Sequence, residues 1–212
     1  MPASRLFSRT GAAALIAVVA FAASAAAANA GVAVVWTPSC DVQAPSQTFL
    51  PWLDVASYTP MPGGDFESSP ASWSTNGPAS IAPGNEPFHV GGAADSQSLA
   101  LDANSSAFSP TICVGLEHPT IRFFVKRRSA GVGGVSTLRV DAFIAISDSA
   151  VAPVTIGTVT SAGIWQPTLP MPIVANLLPL LPGQHTPVYF RFTAQSGDWS
   201  IDDVWVDPYG RR

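Results

Sequence analysis

Rings and charged side chains alternate with apolar residues along three segments of this sequence. In 121–126, 138–144 and 188–192, every second residue is apolar, as on the buried face of a β-strand. The residues predicted to point the other way are Arg122, Phe124, Lys126, Arg139, Asp141, Phe143, Tyr189 and Arg191. Rings beside polar groups can bind a sugar, which has an apolar face and a hydroxyl rim. This chemistry requires the three strands to be neighbours in one sheet.

Two other interpretations of this outward set stay open. It could be an ordinary outer face with Arg–Asp pairs, or a face covered by another part of the chain, because large exposed apolar patches are uncommon on monomers. A second candidate site lies in a loop, where an amide, a carboxylate and an imidazole come together at Asn85, Glu86 and His89. The alternative for this loop is a turn that buries Phe88.

Residues that could support catalysis do not form a recognisable set. The chain has three histidines, no Gly-x-Ser-x-Gly motif and no His/Cys spacing suited to zinc. The glycine-rich run 131–134 lacks the Lys-Ser/Thr of a phosphate loop and predicts a hairpin turn. Glu67, Glu86 and Glu117 are available, but no pattern pairs them as a glycosidase requires. We therefore expect a protein that is not an enzyme.

The first 30 residues predict a secretory signal peptide. Arg5 and Arg9 precede the apolar block 12–28, and the block ends at Ala28-Asn29-Ala30. It is short and rich in alanine compared with a membrane span. We expect cleavage after Ala30, no membrane attachment afterwards, and a monomer outside the cell or at its wall. Loss of the two arginines makes the net charge more negative than the −4 of the full chain, which disfavours nucleic acid as a partner.

Cys40 and Cys113 are the two cysteines of the chain and predict one disulfide, because exported proteins fold in an oxidising compartment. In the chain-entropy model the bridge would stabilise the fold by roughly 4 kcal/mol. The alternatives are two free thiols or a catalytic cysteine, although neither cysteine has a basic neighbour. The bridge would hold a proline-rich arm, residues 31–62, whose aromatic residues indicate that it packs on the domain.

Proline and glycine occur 20 and 17 times, and short runs of β-branched and aromatic residues lie between them. This pattern is typical of an all-β sandwich or barrel. We expect one domain at 63–212, with strands that include 65–67, 88–90 and 107–114. We expect Phe123, Val140, Phe190 and Ile201 to be buried in the core.

Three separated pieces of the sequence form a recognisable series. They are Gly64-Asp65-Phe66-Glu67 with Trp73, Gly91-Gly92 with Ser98-Leu99, and Trp165-Gln166 followed by 188–192 and Trp199-Ser200-Ile201-Asp202-Asp203-Val204. Together they resemble the galactose-binding-like jelly rolls, the fold of many carbohydrate-binding modules. The resemblance covers residues 63–209 and implies a two-sheet antiparallel β-sandwich. The segments 49–54 (FLPWLD), 84–88 (GNEPF) and 115–119 (GLEHP) also resemble a group of exported bacterial proteins.

The resemblance further implies a structural calcium ion near the adjoining ends of the opening and closing strands. Calcium binds several carboxylate and carbonyl oxygens. The positions that match are Asp65, Glu67, Asp202 and Asp203. The alternative is that the two consecutive aspartates flank a turn or pair with Arg191.

These features predict an exported, non-catalytic binding module whose ligand is an extracellular or cell-wall glycan. One alternative is a structural or surface-associated secreted protein with no small-molecule ligand, in which every ring serves packing. Another is a hydrolase whose carboxylates meet only in the folded chain. The fold by itself does not choose among them, because one fold hosts many functions.

Overall fold

The computed structural model describes residues 44–67, 73–116, 120–147, 150–173, 181 and 183–207. They belong to the unit Gly31–Arg212 and form two antiparallel β-sheets. The predicted leader and Cys40 lie outside the described residues, so the disulfide with Cys113 stays a prediction. Within the described ranges, no helix has the length and apolar character needed to cross a membrane.

The first sheet has seven strands. They are β1 (Thr59–Pro60), β3 (Ala79–Pro83), β4 (Gln97–Leu101), β7 (Thr120–Ser129), β10 (Gln166–Pro167), β11 (Met171–Pro172) and β13 (Asp198–Val206). Their order is β10-β7-β13-β4-β3, with β1 also paired to β13 and β11 to β7. The opening and closing parts of the domain are therefore neighbours in one sheet.

The second sheet has six strands. They are β2 (Ser74–Asn76), β5 (Ser106–Phe108), β6 (Ile112–Gly115), β8 (Thr137–Ser147), β9 (Ala150–Val159) and β12 (His185–Ser196). Their order is β2-β5-β12-β8-β9, and β6 pairs with the first part of β12. Two 3₁₀ turns, Leu50–Trp52 and Val132–Gly134, complete the described elements.

The core lies between the two sheets and follows from the alternation of side chains along the strands. In β12, Val188, Phe190, Phe192 and Ala194 are buried, while the residues between them are less buried. The four residues expected in the core are all fully buried: Phe123, Val140, Phe190 and Ile201. The predicted all-β, two-sheet antiparallel sandwich is therefore confirmed.

Three predicted strands differ from the structure for local reasons. Residues 65–67 form turns and 88–90 form a loop, and both segments contain a residue with left-handed backbone, Phe66 (φ 57°) and His89 (φ 51°). Such a residue departs from the extended backbone of a strand. The segment 107–114 is split into β5 and β6, with Pro110 between them; proline has no N–H to donate to a ladder.

Candidate functional site

The outer face of the second sheet gathers five of the residues predicted to bind a ligand. Strand pairing sets Tyr189 opposite Phe143 and Arg191 opposite Asp141, and Arg139 lies opposite Thr193. Because paired residues point to the same side of a sheet, these side chains share one surface. We call this surface the aromatic–arginine face. It comprises Phe108, Arg139, Asp141, Phe143, Thr155, Tyr189 and Arg191.

Three rings form the apolar half of the aromatic–arginine face. Phe143 and Tyr189 stack with centroids 4.7 Å apart and planes 10° apart. Phe108 lies 6.3 Å from the first ring and 6.5 Å from the second. All three are half-buried, so each retains surface that a ligand can contact. Phe108 comes from β5, and sequence reasoning missed it, although its position next to inward-facing Ala107 was a usable signal.

The polar half of the face is built around the carboxylate of Asp141. Its Oδ2 accepts hydrogen bonds from Nε of Arg139 (3.1 Å) and from Nε and Nη2 of Arg191 (3.1 and 2.7 Å). Its Oδ1 accepts one from the hydroxyl of Thr155 at 2.7 Å. The guanidinium of Arg191 also lies 4.9 Å from the ring centroid of Phe143. The polar and aromatic halves therefore hold each other in place.

The electrostatics of Asp141 favour its charged form. Burial by itself would raise the pKa of Asp141, but the hydrogen bonds from Thr155 and Arg191 and the charges of both arginines lower it overall. The carboxylate is therefore a fixed negative charge beneath two guanidinium groups. Thr155 is not among the predicted residues, because the pairing of β8 with β9 shifts register between Val140 and Asp141, and alternation along the sequence does not show such a shift.

Arg122 and Phe124 are not part of this face, and their prediction as ligand-binding residues is wrong. Both lie on β7 in the first sheet and are 4% and 0% exposed. The described part of the arm, residues 44–62, covers them: Phe49 stacks on Phe124 at 5.6 Å, and Arg122 pairs with Asp54. The covered face was one of the alternatives that the sequence left open, and it applies to this sheet.

The arm is held by an aromatic cluster and a polar network. The cluster contains Phe49, Tyr58, Phe124 and Trp205. Within the network, the hydroxyl of Tyr58 donates to Asp54 at 2.7 Å, and the guanidinium carbon of Arg122 lies 4.2 Å from the ring centroid of Phe49. Burial raises the pKa of Tyr58, and its bond to Asp54 acts in the same direction.

The three residues of the predicted loop site have different environments. One has a structural role, and the other two are more accessible to solvent. Glu86 is fully buried, and its carboxylate accepts backbone N–H bonds from Val90 at 2.7 Å and from Phe88. It organises the loop and is not available to a ligand, so its prediction as a binding residue is wrong. Asn85 is half-buried and His89 exposed, with 3.4 Å between Nδ2 and Nδ1.

Acidic residues gather where the loop 85–95 meets β13. Asp203 has left-handed backbone (φ 46°) at a register shift in the β13–β7 pairing, and both it and Asp202 are buried. Asp202 accepts backbone N–H bonds from Glu86 (3.0 Å) and Asp203 (3.0 Å). Burial and the charge of Asp203 raise the pKa of Asp202 to about 9. Burial, Glu86 and Asp95 raise that of Asp203 to about 8.

The structure assigns different roles to the four predicted calcium ligands. Asp202 is engaged by the two backbone N–H groups. Glu67 accepts N–H bonds from Ser96 (2.6 Å) and Gln97 (2.5 Å). Asp65 lies close enough to contribute, with Glu67, to the raised pKa of Asp95, for which burial is the main cause. Asp203 alone of the predicted set is both buried and left with an oxygen that has no partner within the described ranges.

Asp95 joins Asp203 at this position, although the sequence did not single it out. A Cβ atom at Gly91 would lie 2.3 Å from Oδ1 of Asp203 and 2.7 Å from Oδ2 of Asp95. Both carboxylates therefore lie beside the Cα atom of Gly91, which carries no side chain. Each keeps one buried oxygen without a hydrogen-bond partner in the part of the chain described. Unpaired hard oxygens are what calcium binds, so these two residues fit the implied ion.

Side chains alone do not complete such a site. Among the described residues, no three Asp, Glu, His or Cys side chains converge as a metal-binding group. A calcium ion here would need carbonyl oxygens or water in addition to the two carboxylates, which is usual for this ion.

A cleft of about 570 Å³ lies elsewhere on the sandwich. It is lined by β9 residues such as Thr158 and by the segment 166–172, including Thr168 and Leu169. No residue predicted to bind a ligand lines it. Its described lining carries no charged side chain, in contrast to the aromatic–arginine face.

Comparisons with known proteins give matches among solved structures. The sequence matches no protein-family model and no curated protein sequence. Solved structures with a similar fold include the CBM22-1 and GH10 modules of Clostridium thermocellum endo-1,4-beta-D-xylanase 10B with xylohexaose (18% identity, TM-score 0.49). That match covers 69% of this chain and 28% of the xylanase chain.

Two further structures align over nearly their whole length. The CBM22-2 xylan-binding domain of Paenibacillus barcinonensis Xyn10C has 13% identity and a TM-score of 0.44, covering 68% of this chain and 97% of that one. The K1 cleaved adhesin domain of Lys-gingipain from Porphyromonas gingivalis W83 has 17% identity and a TM-score of 0.43, covering 69% and 96%. Carbohydrate-binding modules, the class named by the sequence resemblance, are thus among the structural neighbours.

Proposed function

We propose that this chain is an exported, non-catalytic module that binds a polysaccharide through the aromatic–arginine face. One observation carries the proposal: three half-buried rings lie beside an Asp141-centred network of polar side chains on a single sheet face. A pyranose offers C–H groups to a ring and hydroxyls to fixed donors and acceptors. The face supplies both kinds of contact from adjacent strands.

The location on regular strands favours binding of a repeating polymer. Phe108, Tyr189 and Phe143 come from the neighbouring strands β5, β12 and β8, so the rings extend across the sheet. Successive sugar units of one chain could contact successive rings. Because the side chains are already positioned by mutual contacts, binding requires little ordering of the protein.

Two further parts of the proposal concern the compartment and the metal. The leader, with its basic start and apolar block, supports export. An exported protein would encounter a glycan outside the cell. Asp95 and Asp203 support a structural calcium ion that would join the loop 85–95 to β13 and neutralise buried carboxylates there. The ion would act on stability, since these residues lie on the first sheet and its loops, away from the rings.

A glycan array tests the proposed function. Wild-type protein is applied beside Tyr189→Ala and Phe108→Ala, and Phe88→Ala is the matched control because this exposed ring packs on Trp52 beside the first sheet. Wild type and control should bind the same glycan, while loss of either ring on the face should weaken binding about tenfold. Each variant is first shown to be folded by its melting curve.

The array also distinguishes the alternatives. Absence of binding to plant, fungal and bacterial polysaccharides would favour a structural or surface-associated protein without a small ligand. Release of reducing sugars from a bound polysaccharide would favour the hydrolase. Binding that survives both substitutions would place the ligand elsewhere.

A further inference from the structure

The charge of the aromatic–arginine face is unbalanced, and this bears on the kind of glycan that the proposed function would involve. Arg139 and Arg191 both pair with Asp141. At the described outward positions of β2, β5, β8, β9 and β12, Asp141 is the one acidic residue. Two positive charges therefore share one negative charge, and the face keeps a net positive charge on a protein whose overall charge is −4.

Two other arginines in the described ranges are paired differently. Arg122 has Asp54, and Arg128 has Asp102, each as its own carboxylate partner. Their charges are balanced locally. The shared carboxylate at Asp141 is thus a distinct arrangement, and it occurs where the three rings meet.

The two guanidinium groups retain capacity to bind a second anion. The hydrogen bonds to Asp141 use one N–H of Arg139 and two of Arg191, fewer than the donors that a guanidinium carries. The arginine side chains are 31% and 28% exposed, whereas that of Asp141 is 3% exposed. The carboxylate lies beneath the cations, so their remaining donors are the groups that a ligand would meet.

Planarity makes a carboxylate the matching anion. A guanidinium can bind a carboxylate through two parallel N–H bonds, one to each oxygen. Nε and Nη2 of Arg191 both donate to the single oxygen Oδ2 of Asp141, so Asp141 does not use all the donors of this guanidinium. The contact of Arg191 with Phe143 fixes the plane of that group. A sugar carboxylate could bind the free edges of the guanidinium groups while its ring packs on Tyr189.

We propose that the preferred ligand of the aromatic–arginine face is a polysaccharide that contains uronic acid, whose sugar carboxylate binds Arg139 and Arg191. The inference depends on the proposed function, because it specifies the ligand of the same face. It also distinguishes this face from the uncharged cleft beside β9, which offers no counter-charge to a uronate.

The test compares acidic polymers with their neutral counterparts. Glucuronoxylan and polygalacturonate are each measured as isolated and after reduction of their carboxyl groups to primary alcohols, by titration of the folded, exported form of the protein. Wild-type affinity should fall about tenfold on carboxyl reduction, and the acidic-polymer affinity should weaken with added salt. Arg139→Gln should bring the two affinities together, and Arg139→Lys should restore part of the difference because it keeps the charge.

Lys126→Gln is the matched control, since it removes one positive charge from β7 of the other sheet. It should retain the wild-type preference. Equal wild-type affinity for acidic and reduced polymers would overturn the inference and leave the proposed function intact. A preference that persists in Arg139→Gln, or tighter binding of a sulfated polymer, would also overturn it. Failure to bind any polymer in either form would overturn both.

Discussion

Among single residues, Asp207 should give the stability of the fold its clearest dependence on pH. Burial, together with the nearby charge of Asp54, raises the pKa of Asp207 from 3.8 to about 6. A carboxyl that binds its proton more tightly when folded contributes stability at low pH. That contribution is lost as pH rises from about 4 to about 6, because in this range the unfolded state has given up its proton while the folded state still holds one.

Substitution of this residue therefore has a predictable sign. Asp207→Asn should raise the free energy of unfolding at pH 7 by about 1 kcal/mol, after allowance for solvent screening, and should have little effect at pH 4. Urea denaturation at the two pH values measures this difference. An equal effect at both values would show that the carboxyl does not titrate in this range.

Asp198→Asn is a control of opposite sign. Hydrogen bonds from Ser129 and the Ala103 backbone lower the pKa of Asp198. Its charged form therefore stabilises the fold above the unfolded pKa, and the contribution is lost as pH falls. The variant should be less stable than wild type at pH 7, with a smaller difference at low pH.

The sequence predicts to which face of a sheet a side chain points, because apolar and polar residues alternate along a strand. It does not predict a role that depends on which groups the side chain contacts in the folded chain. The sequence predicts Tyr189, Arg191 and Asp141 on an outer face because they alternate with apolar residues. Glu86 was placed in a ligand site, since a sequence does not show that its carboxylate accepts the N–H groups of its own loop. Asp95 was missed for the same reason, because its relation to Asp203 is set by the fold.

At the scale of elements, the described arm stabilises the first sheet and leaves the second sheet's face alone. Phe49 is fully buried between Tyr58 and Phe124. Phe49→Ala should lower the free energy of unfolding by about 3–5 kcal/mol through loss of packing and creation of a cavity. Leu53→Ala, at a side chain that is 93% exposed, should change it by less than about 0.5 kcal/mol.

Denaturation and glycan titration together check this separation. Phe49→Ala should retain wild-type affinity for the glycan at a temperature where it is folded. A matching loss of affinity would mean that the arm contributes to binding, contrary to its position on the first sheet.

The junction of the loop 85–95 with β13 predicts a response to calcium. If an ion binds Asp95 and Asp203, a chelator should lower the melting temperature, and added calcium should restore it in proportion to the logarithm of its concentration. Asp203→Ala and Asp95→Ala should abolish the response. Asp102→Ala, an exposed carboxylate paired with Arg128, should keep it. A melting temperature that does not change with chelator would contradict a calcium ion at Asp95 and Asp203.

The sheet assignment shows what strand patterns leave out. The two-residue period identified the inward and outward faces of β7, β8 and β12. It did not show that β7 pairs with β13 while β8 pairs with β12. Pairing depends on long-range contacts, so the predicted ligand set combined residues from two different sheets. The open alternative of a covered face was the correct one for Arg122 and Phe124.

At the scale of the whole molecule, the two sheet faces have different roles. The arm and the acidic junction lie with the first sheet, where packing of the arm stabilises the domain. The second sheet presents rings, hydroxyls and arginines on adjacent strands. An acidic protein with a locally positive face would approach an anionic polymer in a preferred orientation, because long-range repulsion is weakest there.

Mapping of the bound glycan by amide NMR would show whether it occupies the aromatic–arginine face. An oligosaccharide of the polymer that binds on the array is titrated into the labelled protein, and chemical-shift changes are followed. If the glycan binds the aromatic–arginine face, the largest changes should lie in β5, β8 and β12 around Phe108, Phe143 and Tyr189. Changes centred on the cleft beside β9 or on the arm, or spectra that do not change, would contradict it.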